Sequence, residues 1–118
     1  MSERGVSESL QWALLIPVLM LVVLGTIQAG IWLHGRTVVA QAAGAAAEQV
    51  AWGRGSDGDA AAMARRIADS GGIQGAQVVV GRSAGSVRVT VTGRAALIVD
   101  LGLAQITEHA VMPLEEVP

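Results

Sequence analysis

The sequence predicts an α+β protein: a long N-terminal helix whose first half is transmembrane, a short second helix, and a small antiparallel three-stranded sheet. Three observations predict it. From Ser9 to Leu33 there are 25 residues without a charge, and about 20 mostly apolar residues suffice for a helix to cross a bilayer. The stretch Thr37 to Trp52 has eight Ala or Gly residues among sixteen and no Pro, which favours continued helix. Farther on, Val87, Val89 and Val91 alternate with Arg88, Thr90 and Thr92, the period of a half-buried strand.

Composition sharpens the class. Hydrophobic residues make up 52% of the 118, but aromatics only 3%, namely Trp12, Trp32 and Trp52. The chain has no Lys and no Cys, so no disulfide supports the fold. Beyond Trp52 lie 66 residues, and a unit of roughly 60 residues buries only about 60% of its unfolded surface. Such a unit must lean on its own long helix or on neighbouring copies. Net charge is −2, and from Arg36 onward seven Arg are interspersed with eight acids. Nucleic-acid binders show a basic face or stripe. None is present, so nucleic acid is excluded as a partner.

Taken in order, residues 1–5 form a short polar leader and residues 6–36 the transmembrane helix. Three readings compete for the apolar run. A secretory signal has an apolar core of about 7–15 residues before a small-residue cleavage site. Here the run is longer, and the small-x-small triplet Ala40-Gln41-Ala42 lies past His34 and Arg36. A buried core helix would need more surrounding chain than remains. A retained membrane helix, with lipid as its first partner, is the favoured reading. It continues as a helical extension over residues 37–52, one helix from about Ser7 to Trp52, with Pro17 expected to kink it. Gly25, Ala29, Gly30 and Gly44 supply small positions at which helix backbones can approach closely. Gly35, Ala40 and Ala47 share that character.

Residues 53–118 form the outer domain. Gly53 to Asp59 reads as a loop, with Asp57 or Asp59 capping a helix Ala60–Ser70 that Gly71-Gly72 ends. Ala62, Met63 and Ile67 are its expected apolar face. Strands follow at Gln77–Val80, Ser86–Thr92 and Gln105–Met112, with a turn at Ser83-Ala84-Gly85 and a longer connection over Gly93–Gly102. Pro113 and Glu115-Glu116 finish the chain. The short leader places residues 1–8 in the cytoplasm and residues from about 36 onward outside.

No constellation of catalytic type is found. His34 and His109 are the only histidines, without metal-ligand spacing between them. Gly71-Gly72 lacks the Lys and the setting of a phosphate loop. The expectation is a protein that is not an enzyme, with no catalytic residue, no metal, no cofactor and no small-molecule substrate.

The informative pattern lies at the start. Arg4-Gly5 precedes Val6 and the single acid Glu8, then Gln11-Trp12-Ala13-Leu14-Leu15-Ile16-Pro17 opens a Leu/Val run toward Gly25. This resembles type IV prepilins, and more specifically the TadE-like family of Tad (tight adherence) pilus minor pilins. The closing Met112-Pro113 is similar as well. The resemblance covers the first fifty residues well and the rest loosely. It departs at Gln11, where the family usually has glutamate, and in a Gly5-to-Gln11 spacing one residue longer than usual.

The resemblance implies a pilin-like fold and a prepilin-type cut between Gly5 and Val6, with Glu8 serving assembly. It also implies partners: a prepilin peptidase, other pilin-like subunits and the pilus assembly machinery. The expected location is a bacterial cell membrane, single-pass, with a surface pilus as a further destination. The expected function is that of a structural minor pilin or pseudopilin-like subunit of a Tad-type pilus or secretion apparatus. The alternative is a single-pass membrane protein whose outer binding or accessory domain does not polymerise.

Overall fold

The computed structural model describes residues 3–114. Helix α1 (Glu3–Ala51) is a single 49-residue helix with Pro17 inside it. It begins earlier than the leader reading places it, since Gly5 and Val6 are already helical. Pro17 removes one backbone donor but does not end the helix. The chain divides into two compact units at Gly30/Ile31, and each is described by itself.

The first unit is helix alone. Every side chain from Gly5 to Val23 is exposed, with Leu14 at 65%, Met20 at 67% and Leu21 at 68%. A helix that is apolar all round is not a surface helix of a water-soluble domain.

The second unit contains the rest of α1, then α2 (Asp57–Ser70) and strands β1 (Ile73–Ser83), β2 (Ser86–Ala95) and β3 (Gln105–Pro113). The strands form one antiparallel sheet with β2 in the centre. Three strands over an apolar layer meet the minimum for a stable sheet. Its inner face is what the alternation in the sequence predicts: Val87, Val89 and Val91 are fully buried, Arg88 is exposed, and Thr90 and Thr92 are half-buried.

The valines pack with Val38, Val39, Ala42, Ala43, Ala46, Ala47 and Val50 of α1, and with Ala60, Ala64 and Ala68 of α2. No polar residue is buried among the described residues. The core is built from small side chains, so its stability rests on backbones lying close together rather than on large anchors. Each fully buried Val contributes about 1.5–3 kcal/mol.

Several boundaries differ from the sequence expectation, each for a local reason. Helix α2 starts at Asp57, and its cap is Ser56, not Asp57 or Asp59. Ser56 Oγ accepts from the Asp59 backbone N–H at 3.1 Å, while Asp59 Oδ2 accepts from the Ser56 N–H at 3.0 Å. This reciprocal pair is a capping box. The buried stripe of α2 is Ala60, Ala64, Ala68, with Met63 and Ile67 at its margin and Ala62 exposed. The smallest side chains face the core where α2 comes close to α1: at its end a Cβ on Gly71 would overlap Val38.

Strand β1 is longer than Gln77–Val80. Past an irregularity between Gln74 and Gln77, Ile73 and Gln74 pair with Ala95 and Arg94, Gly75 taking φ +60°. Strand β2 likewise runs on to Ala95.

Candidate membrane and assembly segment

Membrane insertion demands that every backbone and side-chain polar group be satisfied within the segment. Three hydroxyls of α1 meet this demand locally. Ser9 donates to the Gly5 carbonyl at 2.9 Å, Thr26 to Val22 at 2.8 Å and Thr37 to Leu33 at 3.1 Å. Such bonding to the carbonyl four residues back is the usual way a Ser or Thr sits inside a helix. By length and composition this helix is long and apolar enough to cross a membrane. Trp12 and Trp32 are twenty residues apart in sequence, about the number a helix needs for one crossing. Tryptophan favours both boundaries of a bilayer.

The sequence-predicted assembly residues lie on this helix. Val6 is 61% exposed, and Gly5 and Glu8 are exposed beside it in the first turns. The bond between Gly5 and Val6 is therefore accessible, but it is held in helical geometry, with the Gly5 carbonyl engaged by Ser9. Gly25, Ala29 and Gly30 are exposed. A Cβ added at Gly25, Gly30 or Gly44 would meet nothing within 4 Å. Each of these glycines therefore has open space where a side chain would stand.

One glycine of α1 does pack, and sequence reasoning did not single it out for this. A Cβ on Gly35 would lie 3.0 Å from Ile106 Cδ1, 3.2 Å from Ile73 Cδ1 and 3.3 Å from Ala95 Cβ. Gly35 is thus the seat on which both ends of the sheet's lower edge rest. Its signal was a glycine just past the apolar run, where a membrane-interior role no longer applies. Immediately after it, Arg36 Nε donates to Glu108 Oε1 at 2.8 Å. The same guanidinium lies 5.8 Å from the centre of the Trp32 ring. Strand β3 is tied to α1 where charge first returns to the sequence. His34 and His109 are both exposed.

Comparison with known proteins gives one match. Residues 7–48 fit the family model described as TadE-like protein. No curated protein and no solved structure matches the chain. The matched span starts two residues after Gly5, includes Glu8, Gln11, Gly25, Ala29, Gly30 and Gly44, and ends within the alanine-rich part of α1. The match therefore covers the apolar helix and its alanine-rich continuation, from Ser7 to Glu48.

Proposed function

We propose that the chain is a structural, non-enzymatic subunit of a Tad-type pilus or secretion apparatus, of minor pilin or pseudopilin type. It is anchored in a bacterial cell membrane by the first part of α1. The observation that carries the reading is the coincidence of the TadE-like match with a helix exposed on all sides through Val23. An apolar helix with no partner in its own chain is stable in lipid, and equally stable in a bundle of like helices. Extraction from the first into the second is a physical description of pilin assembly. The alanine-rich continuation is buried under the sheet, so the part of α1 from Ile31 onward and the outer domain form one packed unit.

The proposed processing step is hydrolysis of the peptide bond between Gly5 and Val6 by a prepilin-type peptidase. Cleavage leaves a new α-amino group at Val6, charged at neutral pH. At the bilayer edge an unpaired charge is costly, and a carboxylate from the same or a neighbouring chain offsets it. Glu8 is the only acid between Gly5 and Glu48. Because the bond lies within helix, the first turn must unwind in the peptidase.

Two variants test the reading. Gly5→Leu should retain the leader and abolish filament incorporation. Glu8→Gln should be processed normally but reach sheared surface filaments in reduced amount. Unaltered incorporation of both variants would remove the processing step and the role of Glu8, and absence of the wild-type protein from sheared filaments would remove the pilin reading. The Ser9-to-Gly5 hydrogen bond favours a second reading, an unprocessed single-pass anchor whose outer domain binds or assists other membrane components without polymerising. Full-length Gly5→Leu protein working as well as wild type would select it.

A further inference from the structure

Residues 96–103 join β2 to β3 in a closed loop: the Ala95 N–H donates to the Ala104 carbonyl at 2.8 Å. Leu97 packs against the core, but the loop carries its other large apolar side chains outward. Ile98 is 55% exposed, Leu101 73% and Leu103 66%, where a loop of a water-soluble domain would present polar residues. Its only charge is Asp100, and both carboxylate oxygens are engaged. Oδ2 accepts from Arg94 Nη2 and Oδ1 from the Gly102 N–H, each at 2.9 Å.

The position of the loop says what covers it. Ala95 and Ile106, which flank the loop, close around Gly35, two residues past Leu33, the last of the uncharged run. From Ile106 beside Gly35, β3 proceeds to Glu108, which binds Arg36 and borders a groove with Leu33, Thr37, Ala40 and Gln41. The α1 residues buried in the core with the sheet, Val38 to Ala51, all lie beyond Gly35. The strand thus leads toward higher helix numbers, and the loop preceding it lies on the Leu33 side of Gly35. That is the level at which the helix leaves the bilayer. We infer that the loop inserts Ile98, Leu101 and Leu103 into the headgroup–acyl boundary as a second, shallow membrane anchor, its occupant being lipid. The inference rests on α1 spanning the membrane. Interfacial elements of this kind bury their apolar side about 5–10 Å deep. A paired Asp100 is compatible with that depth, because its charge is offset within the loop.

The chain has no cysteine, so single-cysteine variants of the full-length protein report position directly. Leu101→Cys, Leu19→Cys in α1 and Ala84→Cys in the β1–β2 turn are each labelled with a polarity-sensitive fluorophore. They are reconstituted at high dilution in phosphatidylcholine vesicles containing nitroxide lipids. All three side chains are exposed, so the substitutions spare the core, and Leu103→Cys repeats the loop measurement. Expected are strong quenching at position 19 by deep nitroxides, and severalfold more quenching at 101 than at 84 by shallow ones. Equal quenching at 101 and 84, with 19 quenched, overturns the loop anchor while leaving the spanning helix in place. Absence of quenching at 19 overturns both. Shielding at 101 that grows with protein-to-lipid ratio, without lipid quenching, assigns the loop to a second copy and overturns the inference.

Discussion

At the scale of single residues, two glycines of the same helix make opposite demands. Gly35 is enclosed on three sides by Ile106, Ile73 and Ala95. Gly35→Val should force these apart and cost about 1–3 kcal/mol, the usual effect of overfilling a packed site. A Cβ at Gly44 meets nothing, so Gly44→Ala should stabilise an isolated subunit by roughly 0.5–1 kcal/mol through helix propensity. Thermal unfolding in detergent micelles reads both signs. The same assay separates the faces of β2. Val89 is fully buried, and Val89→Asp should cost several kcal/mol by burying a charge. Arg88→Ala, on the exposed side, should stay within about 0.5 kcal/mol of wild type. Equal effects would contradict the orientation of the strand. Gly35 itself was not legible as a packing residue. Among Gly25, Ala29 and Gly30 it reads as one more small position for contact between helices, and only the sheet's return to α1 gives it a partner.

At the scale of elements, regular patterns were legible and irregular ones were not. The alternation of Val87, Val89 and Val91 is a property of β2 alone, so it could be read without knowing the neighbours. Strand β1 starts at Ile73 instead of Gln77 because pairing with Arg94 and Ala95 resumes across an irregularity at Gly75, a tertiary event that Gly-rich sequence masks. The cap of α2 was misplaced by one to three residues because Asp57 and Asp59 are both good capping types. Ser56 wins by having an acid three residues later that returns its hydrogen bond. Ser56→Ala should therefore cost about 1 kcal/mol, with Asp59→Ala adding less than its separate effect because the two bonds form one unit. The Arg36–Glu108 pair is half-exposed, with side chains 56% and 26% accessible. Glu108→Gln should change stability by no more than about 1 kcal/mol.

At the scale of the whole molecule, the uncharged run from Ser9 to Leu33 made a helix long and apolar enough to cross a membrane legible from sequence alone. The proposed cleavage and assembly residues Gly5, Val6 and Glu8 rest on resemblance, and all three lie exposed on the first turns of α1. With those turns on the cytoplasmic side, protease added to intact spheroplasts should degrade the outer domain from about residue 53 onward and spare the apolar helix. Protection of that domain until lysis would reverse the orientation. The central claim is that α1 serves first as an anchor and then, once processed, as the packing element of a filament. It is tested most directly by the mass of the protein recovered from membranes of cells making the filament. The mature chain is expected to begin at Val6. A chain that retains the residues through Gly5 would contradict it and leave an unprocessed single-pass anchor in its place.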